Sequence, residues 1–194
     1  MAVQSPGCSG SVQVRARAAS AGQRAGINVD AVITADLGCT FTEAEIIERF
    51  VGSSTEVYTA AVEERLGRRL EKDWQQQYEH LYQAAFEAEL TAVDGLTNAL
   101  DSRTAPICVA SNGNHGEIRR SLEIANLSDR FEGRIFSAAD VPTSKPAPDL
   151  FLYAARSMGV EPGRCVVIED SAYGVQAAGD RGVAGGSLME GRLP

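Results

Sequence analysis

Glu169 and Asp170 are the residues whose types and spacing most directly suggest chemistry: two adjacent carboxylates that end the apolar run Cys165-Val166-Val167-Ile168. A short apolar run bounded by turn signals reads as a strand buried on both faces of a parallel sheet. Acids at the carboxyl end of such a strand sit where open α/β sheets place their ligands. Like charges side by side in a cleft are costly unless a cation joins them, and oxygen donors suit Mg²⁺. Glu169 and Asp170 are therefore candidate metal ligands. The plainer alternative is that they cap the helix that begins near Ser171.

Two further segments carry matching chemistry. Ile107-Cys108-Val109-Ala110 reads as a strand and ends in Ser111-Asn112-Gly113-Asn114 before a helix. A hydroxyl and backbone N–H groups at such a turn suit a phosphate or carboxylate oxygen. Lys145 stands in a loop stiffened by Pro146 and Pro148, where an ammonium can balance a phosphate or a charged transition state. The alternatives are a strand-end turn and a surface lysine. His80 reads as a surface residue on a helix; His115, three residues past Asn112, is close enough in sequence to reach a cleft mouth there, with a plain surface position as the alternative.

The elements that must position these groups follow from periodicity. Over 93–194, strands at 107–110, 133–136 and 165–168 alternate with helical stretches. These carry Ile118, Leu122 and Ala125, then Leu150, Phe151, Ala154 and Met158, and last Ala172 to about Arg181. That alternation indicates βαβ units on a parallel, Rossmann-like sheet. After Gly182, Gly185-Gly186 and a polar end give no clear strand. Residues 30–92 read as an inserted helical unit. Thr42 and Glu45 form a capping box ahead of Ile46, Ile47 and Phe50. Phe50–Ser54 is a break, Tyr58, Val62 and Leu66 share a face, and Gly67 ends that helix. Asp73 is placed to cap a longer helix bearing Trp74, Tyr78, Leu81, Ala85 and Ala88 on one face.

The 194 residues suffice for one domain with a modest insertion. A net charge of −8 argues against nucleic acid as the partner. No apolar stretch of about 18 residues is present, so no membrane span is expected. The four cysteines lack C-x-x-C spacing, and Cys108 and Cys165 fall in buried strands, which favours reduced thiols and a cytoplasmic protein. Residues 1–29 differ from the rest: they hold Arg15, Arg17 and Arg24 but no Asp or Glu, and no period persists. A disordered tail, an Arg-rich transit peptide and a segment replacing something the fold needs are the competing readings.

Ser111-Asn112, Lys145-Pro146 and Glu169-Asp170-Ser171, with Gly174 and Ala177-Ala178, resemble motifs two to four of the haloacid dehalogenase superfamily, over about 107–182. The helical unit resembles the α-helical cap of that superfamily's β-phosphoglucomutase-like phosphatases, with Val51-Gly52 matching its loop and Val93-Asp94-Gly95 its return hinge. The resemblance implies an α/β fold with a Rossmann-like parallel core, an inserted cap, Mg²⁺, and phosphoryl transfer through an aspartyl-phosphate. Ser111, Asn112, Gly113 and Lys145 would contact the phosphoryl group, with Ser111 and Lys145 catalytic. Asp170 and Glu169 would organise Mg²⁺.

The family's first motif, Asp-x-Asp-Gly after a central strand, is expected near 8–16. There the chain reads Cys8-Ser9-Gly10-Ser11-Val12-Gln13-Val14-Arg15-Ala16, without an Asp. The near match at Val32–Gly38 offers Asp36 alone, a weak nucleophile candidate. Val12–Arg15 alternates apolar and polar residues, so a central position would bury Gln13 and Arg15 and leave the core gapped or strained. A frameshifted or mis-assigned start, and a truncated end after Gly182, would account for both losses of pattern. The expected function is a capped, Mg²⁺-dependent phosphatase or phosphomutase of small phosphorylated metabolites, monomeric or homodimeric, with turnover in doubt for want of the nucleophile. An inactive phosphate-binding or regulatory protein of the same fold and a metal-independent dehalogenase are the alternatives.

Overall fold

The structure, a computed structural model, describes residues 12–14, 20–92, 94–169, 171–179 and 184–187. Five parallel strands form one sheet: β1 (Val12–Val14), β2 (Ile107–Ser111), β3 (Ile135–Ser137), β4 (Val166–Glu169) and β5 (Ala184–Ser187). Their spatial order is β3-β2-β1-β4-β5. The chain adds α1 (Ser20–Asp36), α2 (Glu43–Arg49), α3 (Thr55–Leu66) and α4 (Glu79–Glu89), then α5 (Leu96–Asp101), α6 (His115–Ile124), α7 (Ser128–Phe131), α8 (Asp149–Ser157) and α9 (Ala172–Gly179).

β2 shows why the sheet is covered on both sides. Its residues are buried without a break from Ile107 to Ala110. Successive side chains on a strand point to opposite faces. Cys108 and Ala110 join a cluster with Phe136, Leu150, Phe151, Ala154, Cys165, Val167 and Ala177. Ile107 and Val109 join the opposite cluster with Leu100, Ile118, Leu122, Leu127 and Phe131. Cys108 and Cys165 are both fully buried. Burial, with Cys165 nearby, pushes the Cys108 thiol up to about 12.

The centre of the sheet holds a strand: β1 lies between β2 and β4, with Val12 opposite both Ile107 and Val166, while Arg15 lies outside the described residues. A strand also exists after Gly182, where β5 pairs Ala184 with Val166 and Ser187 with Glu169. Gly185 and Gly186 hid it, because glycine supplies no side chain to show alternation, while the ladder needs only backbone groups.

The helical cap begins earlier than residue 30. α1 starts at Ser20 and buries Ala25, Ile27, Val29 and Ile33. Gly22 and Gly26 weaken the helical signal of this stretch. The capping box is formed: Thr42 Oγ1 accepts from the Glu45 amide, and the Glu45 carboxylate accepts from the Thr42 amide. The Arg65 guanidinium also donates to it. These contacts, the Thr42 amide first, hold the Glu45 carboxyl down at about 2. α3 ends at Gly67 in the left-handed conformation, φ 67°. The next helix differs from expectation. Asp73 is itself left-handed and makes no side-chain cap bond, so Trp74–Tyr78 forms a 3₁₀ turn before α4. A chain of ring contacts, Phe41–Phe50–Tyr58–Trp74–Tyr78, runs through the cap core with centroids 4.4–6.1 Å apart. Among the described residues no helix is long and apolar enough to cross a membrane.

Candidate active site

β2 and β4 flank β1, so Ser111 and Glu169 end the two strands on either side of the sheet's centre. Lys145 joins them. Its side chain is fully buried, and Nζ donates to the Ala110 carbonyl at 3.0 Å and to Glu169 Oε2 at 2.8 Å. The same ammonium lies over the Phe151 ring, 4.6 Å from its centroid. A buried ion pair persists only when good geometry and further hydrogen bonds offset desolvation. Those bonds are present, because Glu169 Oε1 accepts from the Ser171 amide at 3.0 Å and its hydroxyl at 2.8 Å.

Gly174 explains the close approach of α9. A Cβ there would lie 2.2 Å from Glu169 Cγ and Cδ. Only glycine lets the helix pass over this carboxylate.

The loop after β2 is held from several directions. Ser111 Oγ accepts from the Gly113 amide at 3.2 Å, and the Gly113 carbonyl accepts from Ser137 Oγ at 2.8 Å. Asn112 Oδ1 accepts from the Lys145 amide, and Asn112 Nδ2 donates to the carbonyls of Lys145 and Gly52, each at 3.1 Å. α6 opens with Asn114 as its cap, accepting from the Glu117 amide at 2.9 Å. A helix N-terminus of this kind offers N–H groups and a favourable dipole to an anion beside Ser111.

Among the expected site residues, Ser111, Asn112, Gly113, Lys145 and Glu169 are brought together, while Asp170 lies outside the described residues. Asp36 is not part of this group. It ends the cap helix α1, where it is exposed and accepts from the Tyr78 hydroxyl at 2.5 Å, and it follows no strand. Its reading as a nucleophile is corrected accordingly, because the apolar run before it is helical. His80 is exposed. His115 Nε2 sits 2.9 Å from Asp140 Oδ1. Burial opposes ionisation of Asp140, but the Ser137 amide and His115 outweigh it and hold the carboxyl low.

The Mg²⁺ expectation meets a specific difficulty. Both Glu169 oxygens serve Lys145 and Ser171, so this carboxylate is a partner for the lysine and not a ready metal ligand. Among the described residues no group of three or more His, Cys, Asp or Glu side chains is placed to hold a metal ion.

Ser137 and Tyr173 were missed from the sequence. Ser137-Ala138-Ala139-Asp140 is a readable capping box, and it is formed. Tyr173 gave no signal; its hydroxyl donates to the Arg49 carbonyl of the cap at 3.3 Å.

Comparison with known proteins agrees with this geometry. A family profile described as haloacid dehalogenase-like hydrolase matches residues 17–180. The 6-phosphogluconate phosphatase of Escherichia coli is 32% identical over 152 residues, 76% of this chain and 67% of that protein. A haloacid dehalogenase-like protein from Agrobacterium tumefaciens superposes with a TM-score of 0.70 at 27% identity, over 91% of this chain and 80% of that one. A HAD family hydrolase from Deinococcus radiodurans, solved with bound phosphate and sodium, gives 0.62 at 26% identity over 91% and 78%. These matches establish that the chain belongs to the haloacid dehalogenase-like hydrolases.

Proposed function

We propose that the chain takes small phosphorylated metabolites, sugar phosphates or nucleotide-like phosphates, at the carboxyl ends of β2, β1 and β4, as a phosphatase of this family. The observation that carries the reading is the buried Lys145, held between the Ala110 carbonyl and Glu169 beside Ser111. Ser111 and the N–H groups opening α6 would receive phosphoryl oxygens, and Lys145 would supply positive charge to the same region. The Escherichia coli relative acts on 6-phosphogluconate and the Deinococcus structure holds phosphate, which supports this substrate class. Asp170 is the remaining candidate for Mg²⁺, a cation that would neutralise phosphoryl charge when bound. Glu169 serves instead to fix Lys145.

A second reading, binding without turnover, is favoured by one sequence observation. The residues that continue from β1 are Arg15-Ala16-Arg17, and no Asp or Glu occurs before Asp30. Loss of a covalent nucleophile costs on the order of 10⁴–10⁶ in rate. Hydrolysis of a panel of small phosphate esters, with and without Mg²⁺ and beside Asp170→Asn, separates the two readings. Metal-dependent turnover abolished by that substitution supports the phosphatase. Phosphate binding without turnover supports the second reading. A folded protein that does neither refutes both.

A further inference from the structure

The cap and the lysine loop meet at one side chain. Asn112 is buried, 8% exposed, and its carboxamide faces two partners at once. Toward the core it reads both backbone groups of Lys145, accepting from the amide and donating to the carbonyl. Toward the cap it donates to the carbonyl of Gly52, in the turn between α2 and α3. A primary amide has two N–H donors, so both are spent. The same cap turn receives a second core group, since Tyr173 Oη reaches the Arg49 carbonyl. The two cap acceptors are backbone carbonyls, which only a donor can satisfy. Asn112 follows Ser111 in the loop after β2, and Tyr173 lies in the first turn of α9, two residues past Ser171, so the clasp grows from beside both strand ends.

We infer that Asn112 is a positioning residue that couples docking of the cap turn at Arg49–Gly52 to presentation of Lys145, and not a phosphate ligand. The functional consequence rests on the phosphate reading above, but the coupling itself does not. When the cap turn is docked, the carboxamide is held in the plane that also fixes the Lys145 backbone. When the turn leaves, one donor is released and the lysine loop loses a constraint. Linkage requires the reciprocal effect: an anion that orders the lysine loop must also favour the docked turn.

Amide hydrogen exchange on the full chain tests this, because the reporters are local and need no turnover. The Val51 and Ser53 amides, bonded to Ile46 and Phe50, report the cap turn; the Lys145 and Ala147 amides report the loop. Asn112→Asp keeps the acceptor for the Lys145 amide but sets a carboxylate against two carbonyls. We expect it to speed exchange of the turn about tenfold, or ~1.4 kcal/mol by the standard conversion, while the Lys145 amide stays protected. Asn112→Ala is expected to loosen both, and Tyr173→Phe, which weakens docking with Asn112 intact, to loosen the turn and through Asn112 the lysine loop. A turn loosened by Tyr173→Phe with the loop unchanged would overturn the coupling. In the wild type, inorganic phosphate should slow exchange of the turn; in Asn112→Ala it should not. Folded variants with unchanged turn exchange would overturn the coupling, as would a phosphate effect on the turn that survives Asn112→Ala. If phosphate fails to bind at all, the functional reading falls, and the exchange pattern without phosphate still decides the coupling.

Discussion

Two carboxylates, one in each half of the molecule, are held in opposite ways. In the core, Glu169 is buried against a cation, Lys145, with Ser171 completing its hydrogen bonds. In the cap, Asp30 on α1 meets hydroxyls only. Tyr82 donates to it, and the Tyr58 hydroxyl adjoins them. Burial raises its carboxyl to about 6, with the Tyr82 and Tyr58 hydroxyls pulling the other way. The core thus keeps a charge within a hydrogen-bonded ion pair, and the cap favours a neutral group within an aromatic interior. One carboxylate is held by an ion pair, and the other by hydroxyls and burial.

Breaking the core pair should have the largest effect. Lys145→Met leaves Glu169 buried without its cation, and loss of about 3–5 kcal/mol is expected from chemical denaturation. Adding Glu169→Leu should restore much of it, because removal of both partners leaves no uncompensated charge. Next comes Gly174→Ala, whose methyl would overlap Glu169. It should cost about 1–3 kcal/mol through forced displacement of α9 or of the carboxylate. If Glu169 instead turns away without loss, the pair is softer than its geometry suggests.

The cap carboxylate sharpens the contrast through pH. The folded state holds the Asp30 proton more tightly than the unfolded chain does, since its carboxyl rises from 3.8 to about 6. The stabilising contribution is therefore complete below about pH 4 and is lost as pH rises through 6. Stability measured across that window should fall more steeply for the wild type than for Asp30→Asn. The smallest expected effect is Thr42→Ala, which removes the capping box of α2 and should cost about 1 kcal/mol in a thermal or denaturant transition.

Much of this arrangement was legible in the sequence because apolar runs and their ends carry it. The strand ending at Ser111 and the strand ending at Glu169 were read from unbroken hydrophobic stretches, and Lys145 from its prolines. The capping box at Thr42 and the stop at Gly67 were local signals. What failed lacked a side-chain signal or depended on distant partners. β5 is half glycine, and α1 begins in a stretch carrying Gly22 and Gly26. The role of Glu169 could not be read from its neighbour Asp170, because its partner lies 24 residues away. The partners of Asn112 were equally illegible, since only the fold brings Gly52 and Lys145 to it.

The proposed phosphate site at the ends of β2 and β4, around Ser111 and Lys145, is open to a direct test. Calorimetric titration of inorganic phosphate into the wild type and Ser111→Ala tests it most directly. Measurable binding is expected, weakened about 10- to 100-fold on loss of the hydroxyl, the value of one hydrogen bond to a charged oxygen. A folded wild-type protein that binds no phosphate, or one whose affinity is untouched by Ser111→Ala, would contradict it.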